Sequence, residues 1–65
     1  MNKLLQASLS YYEAQRDEAL AVLDIYTNNP VGIGEHSNIL AEILEWTQKL
    51  TEAEENISTL NKHFM

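Results

Sequence analysis

A chain of 65 residues and 7.4 kDa holds one small domain. Ten acidic side chains against four basic ones give a net charge of −6 and a pI near 4.6. That balance argues against a duplex-binding surface, which needs clustered cations to displace counterions from phosphates. Cysteine is absent, which excludes disulfides and thiolate metal sites, and the longest wholly apolar run, Ala19 to Leu23, is far short of a membrane span. With no signal-peptide core after Met1, the chain reads as soluble and cytoplasmic.

The first element is a helix over about residues 3–28. The stretch contains neither glycine nor proline, and Leu5, Leu9, Tyr12, Arg16, Ala19, Leu23 and Tyr26 recur at alternating spacings of four and three. That is the seam of a coiled-coil-type helix with one charged interruption. At Arg16 the plainer expectation is a side chain whose stem packs while its guanidinium reaches Glu13 or Glu54. The sharper one is a cation that fixes register or holds an anion between subunits.

A connector over 29–36 follows. Both glycines and the only proline fall in Asn28-Asn29-Pro30-Val31-Gly32-Ile33-Gly34. Pro30 lacks an N–H and forces Asn29 into extended geometry, so the first helix ends near Asn28. Gly32 and Gly34 allow successive N–H groups to converge into an anion-binding nest, next to the positive end of the following helix. Asn28, Asn29, Gly32, Gly34, His36 and Ser37, with Arg16 or Lys49 as charge partner, are the candidate ligand-binding residues. The plainer reading of the same residues is an αα-turn in which Val31 and Ile33 plug the end of a bundle. The connector has no lysine, and Glu35 would repel a nearby anion.

The second helix is expected over about 37–63. Ile39, Ile43, Trp46, Leu50, Ala53, Ile57, Leu60 and Phe64 repeat the four-three spacing without a break. Glu45 and Lys49 stand at the i,i+4 spacing of an ion pair. Helices of equal length on a short connector make an all-α, antiparallel two-helix hairpin. Folding it about Gly32 sets Leu5 against Leu60, Leu9 against Ile57 and Tyr12 against Ala53. Ala19 then faces Trp46, Leu23 faces Ile43 and Tyr26 faces Ile39, so each of the bulky Tyr12 and Trp46 meets an alanine.

One hairpin has more apolar surface than its seam covers. Leu4, Tyr11, Leu20, Val22 and Ile25 on the first helix, and Leu40 and Leu44 on the second, lie beside the seam. They are the candidate oligomer interface, concentrated around residues 20–26 and 39–46, and they predict a homo-oligomer, most simply a dimeric four-helix bundle. Other chemistry is poorly provided for. No His-x-x-x-His or Glu-x-x-His pair suits a metal, and no serine has a local histidine–acid arrangement. The chain reads as a non-enzyme without cofactor or metal.

The segment Tyr26 to His36, reading Tyr-Thr-Asn-Asn-Pro-Val-Gly-Ile-Gly-Glu-His after a helix containing Tyr11-Tyr12-Glu13-Ala14, resembles small helical-hairpin proteins of tailed bacteriophages. The similarity runs from about Tyr11 to Phe64. It implies expression in the host bacterial cytoplasm and an accessory role, interference with host defence included. Some phage hairpins of this architecture act as sponges for cyclic nucleotide immune signals, although their motifs do not match here. Two functions follow as expectations. One is an oligomer that sequesters a small anionic ligand such as a cyclic nucleotide. The other is a protein-interaction module that docks to a host or viral protein and inhibits or bridges it.

Overall fold

The computed structural model describes residues 2–28 and 38–65, which form two helices packed against each other as a hairpin. Helix α1 runs Lys3–Asn28 and α2 runs Ile39–Phe64, each 26 residues and about 39 Å long. The second helix was expected from residue 37 to 63 and instead begins at Ile39 and ends at Phe64. Asn38 takes the N-cap position, its carbonyl accepting the first helical bond from the Glu42 N–H at 2.9 Å.

The two helix starts are built differently. Asn2 caps α1 in full: its Oδ1 accepts from the Leu5 N–H at 2.8 Å while its carbonyl accepts from the Gln6 N–H at 3.0 Å. Asn38 makes no side-chain cap bond, and the start of α2 is helped by Glu42 in its first turn. Lys62 and His63 complement the negative end of α2, whereas α1 has no acid in its first turn and no base in its last.

Packing follows the four-three seam. Every α1 seam residue from Leu5 to Tyr26 is buried or half-buried, as is every α2 seam residue from Ile39 to Leu60. Phe64 departs from the expectation and lies exposed. α1 begins only at Lys3, so no full turn stands opposite the last turn of α2. Only Ala19 and Ala53, at 0% and 1% exposure, are fully buried among the described residues. An alanine loses all contact with solvent only where larger side chains close over it, which fits the alternation that sets Trp46 and Tyr12 across from them.

Two further observations place the register. Trp46 lines one groove with Gln15 and Glu18, which flank Ala19 on α1. The Tyr26 hydroxyl donates to Glu42, one turn along α2 from Ile39, across 3.4 Å. Both accord with the pairing of Ala19 with Trp46 and Tyr26 with Ile39.

The result is a rod rather than a ball. Its Cα extents are 47 × 15 × 14 Å and its radius of gyration is 14.7 Å. A compact domain of this length would have a radius of gyration of about 11 Å. A two-helix rod covers one stripe of each helix and leaves the other faces to solvent.

Candidate functional site

The expected interface residues do not form one surface. Leu20 and Ile25 are five residues apart on α1, which turns their side chains about 140° from each other. Leu40 and Leu44 each stand two residues from Glu42, so they point roughly opposite to it around α2. The groove through Gln15, Glu18, Lys49 and Glu52 shows which sides of the two helices adjoin. Leu4, Tyr11, Val22 and Ile25 therefore share a flank with Glu42, Lys49 and Glu52. Leu20, Leu40 and Leu44 occupy the other flank. This corrects the expectation of a single apolar surface near the connector; side-chain type alone does not say which side of a seam a residue takes. Val22 also proves half-buried, while Leu4, Tyr11, Leu20, Ile25, Leu40 and Leu44 are all exposed.

The first flank is acidic and partly aromatic. Its central groove, about 320 Å³, is lined by Gln15, Glu18, Trp46, Lys49 and Glu52. Lys49 donates to Glu45 Oε2 at 3.0 Å, and its Nζ sits 4.0 Å from the centroid of the Trp46 ring. The carboxylate and the indole face thus hold one ammonium group between them, an arrangement worth roughly 0.5–1 kcal/mol where solvent reaches it. Towards the termini a shallower groove of about 270 Å³ is formed by Leu4, Ala7, Ser8, Tyr11 and Tyr12. The two tyrosine rings meet edge to face at 5.5 Å, and Gln15 Nε2 donates to the Tyr11 hydroxyl at 3.1 Å.

At the connector end of this flank stands Tyr26. Its phenol pKa is raised above the ordinary value, first by partial burial, then by the charge of Glu42 and the hydrogen bond to it, and last by Glu45. The phenol therefore stays protonated and donating over the neutral range.

The second flank carries a short uncharged stripe on α2 that ends at Glu54, while Glu13, Asp17 and Asp24 surround Leu20 on α1. Leu40, Leu44, Thr47 and Thr51 follow one another at spacings of four, three and four, with no charged residue among them. Thr47 Oγ1 donates to the Ile43 carbonyl at 2.7 Å and Thr51 Oγ1 to the Thr47 carbonyl at 3.0 Å. Both hydroxyls are satisfied within the helix, so a partner covering them strips no hydrogen bond to protein.

The expected ligand-binding set is only partly visible. Asn29, Gly32, Gly34, His36 and Ser37 lie outside the described residues. Asn28 is the last residue of α1, and its Nδ2 donates to Asp24 Oδ1 rather than pointing into open space. Arg16 is half-buried on the seam, but its partner is Asp17, with Nε 3.1 Å from Oδ1, and not Glu13 or Glu54. The adjacent carboxylate is within reach of a guanidinium that leaves the seam sideways. Arg16 and Asn28 stand about 18 Å apart along α1, so one hairpin does not bring them together. Lys49 is held on the Trp46 face by Glu45. Among the described residues no group of three His, Asp or Glu side chains is placed to hold a metal.

Sequence reasoning missed the Asn2 cap, the Trp46–Lys49 stack and the neutral stripe. Each had a signal. Asparagine just before a helix is a preferred N-cap, Trp46 and Lys49 are three apart on one helix face, and the stripe repeats the seam spacing one face over. Comparison with protein-family models, curated proteins and solved structures finds no match to the chain.

Proposed function

We propose that this chain is a non-enzymatic docking module that works as a homo-oligomer, its helix flanks serving as binding surfaces. One observation carries the reading. Full burial reaches only Ala19 and Ala53 among the described residues, while Leu4, Tyr11, Leu20, Ile25, Leu40 and Leu44 stay exposed. A chain this small gains too little from one such seam to offset the entropy of ordering it, and further burial must come from another chain. The resemblance to tailed-phage hairpins adds a setting, the bacterial cytoplasm, and an accessory role such as blocking or bridging a host or viral protein. No described helix is long and apolar enough to cross a membrane.

Sequestration of a small anion is the second reading, and the described residues favour docking over it. Asn28 and Arg16 are separated, and each already meets an aspartate of its own helix. Sedimentation equilibrium at micromolar concentration tests the main reading: a dimeric or larger mass supports it, and a monomer removes it. Calorimetric titration with cyclic nucleotides decides between the two readings. Measurable heat with a saturable stoichiometry restores sequestration, and uniformly flat traces leave docking alone.

A further inference from the structure

We infer that copies of this chain pair through the outer face of α1, with Leu4, Ala7, Tyr11, Ala14, Ala21 and Ile25 packed antiparallel against the same residues of a second copy about a two-fold axis at Ala14. This rests on the reading of the chain as a homo-oligomer and names the surface it uses.

α1 carries two seams. Besides the one that meets α2, Leu4, Ala7, Tyr11, Ala14, Glu18, Ala21 and Ile25 recur at alternating spacings of three and four. That period marks a face that meets another helix. It lies about 160° round α1 from the first seam, so α2 cannot cover it. Leu4, Tyr11 and Ile25 are 81%, 60% and 51% exposed, and the three alanines between them are exposed as well. Alanine at every second position lets a second helix approach closely between the larger side chains.

Charge says which helix comes, and in which direction. α1 has no acid in its first turn and no base in its last. It starts instead on Lys3, and Asp24 stands next to its last turn. Both charges oppose the dipole of their own helix. An antiparallel copy brings each to its opposite. Aligned about Ala14, Lys3 faces the copy's Asp24, and symmetry makes the pair twice. The same alignment sets Leu4 against Ile25, Ala7 against Ala21 and Tyr11 against Glu18. The Tyr11 hydroxyl already accepts from Gln15 Nε2, so its proton is left to donate to the copy's Glu18. Asp17, the other acid beside this face, is paired with Arg16 of its own helix and meets the copy's Ser10. Each ion on the face therefore finds an opposite charge or a hydrogen-bond partner, although each copy has a net charge of −6.

The test uses the full chain. Ala14→Glu should weaken self-association by at least ~100-fold in sedimentation while helicity by circular dichroism persists, and Leu44→Glu, away from this face, should leave the dimer intact. Charge reversal checks the direction. Lys3→Glu and Asp24→Lys should each weaken the dimer about 10-fold, although both suit the dipole of α1. Combined on one chain, with the net charge unchanged, they should restore it. The two positions stand about 30 Å apart on one helix, so such a rescue acts between chains. It decides the matter if Ala14→Glu also loses helicity. A dimer that survives Ala14→Glu and dissolves in Leu44→Glu, or one that Asp24→Lys strengthens, overturns this interface but not self-association. A monomeric wild type overturns both.

Discussion

The two flanks of this hairpin hold the same number of acids and differ in what lies between them. On one, the positions beside the seam are Glu18, Glu42, Glu45, Lys49 and Glu52, with Trp46 and Tyr26 reaching out from the seam among them. On the other, α2 offers two leucines and two threonines whose hydroxyls are already spoken for. Carboxylates of the first flank work within one hairpin, holding Lys49 and Tyr26 in place. The second flank also carries Glu13, Asp17, Asp24 and Glu54, and only its α2 stripe from Leu40 to Thr51 is uncharged. Its leucines matter only when another surface covers them.

That contrast can be broken by substitutions whose effects do or do not depend on protein concentration. Trp46→Ala should be the most severe, since it strips the largest seam side chain and opens Ala19. A loss of about 3 kcal/mol in chemical denaturation, present at every concentration, is expected. Asn2→Ala touches neither flank and should cost about 1 kcal/mol through the lost cap, read in the same melts as a local reference. Lys49→Met keeps the packed stem but removes the contacts to Glu45 and Trp46. A loss of no more than about 0.5 kcal/mol is expected, and added salt should shrink it because both partners are half exposed.

Tyr26→Phe should have the smallest effect, a slight loss at neutral pH that disappears in alkaline solution. The folded phenol titrates above its unfolded value near 10.0, so its stabilisation is complete below that pH. It is lost as pH climbs through the raised folded value. Spectrophotometric titration of wild type should show one tyrosine ionising late, and Tyr26→Phe should abolish that late step. If the late step persists, the contact with Glu42 is not what holds the phenol.

The linear arrangement was largely legible in the residues. The helix over Lys3–Asn28 and the inward set from Leu5 to Tyr26 follow from local rules: propensity and a four-three period. The Glu45–Lys49 pair was legible for the same reason, because its partners are one turn apart on one helix. Arg16 was not. Its expected partners Glu13 and Glu54 were as plausible in spacing as Asp17, and only the path of the side chain out of the seam selects among them. The connector residues proposed for a ligand, Asn29 to Ser37, were chosen by chemistry alone, and the helical partners assigned to them, Asn28 and Arg16, turn out to be committed elsewhere and far apart.

What the sequence determined by itself is therefore the pair of rods, their seam and the alanines at its heart, since each depends on the period of a single helix. Which flank of α1 adjoins which flank of α2 was decided only when two antiparallel helices were set together. Facing requires two axes, and a one-dimensional pattern contains only one. Leu20 and Leu44 stand far apart on the line of residues, yet the packed hairpin sets them on the same side.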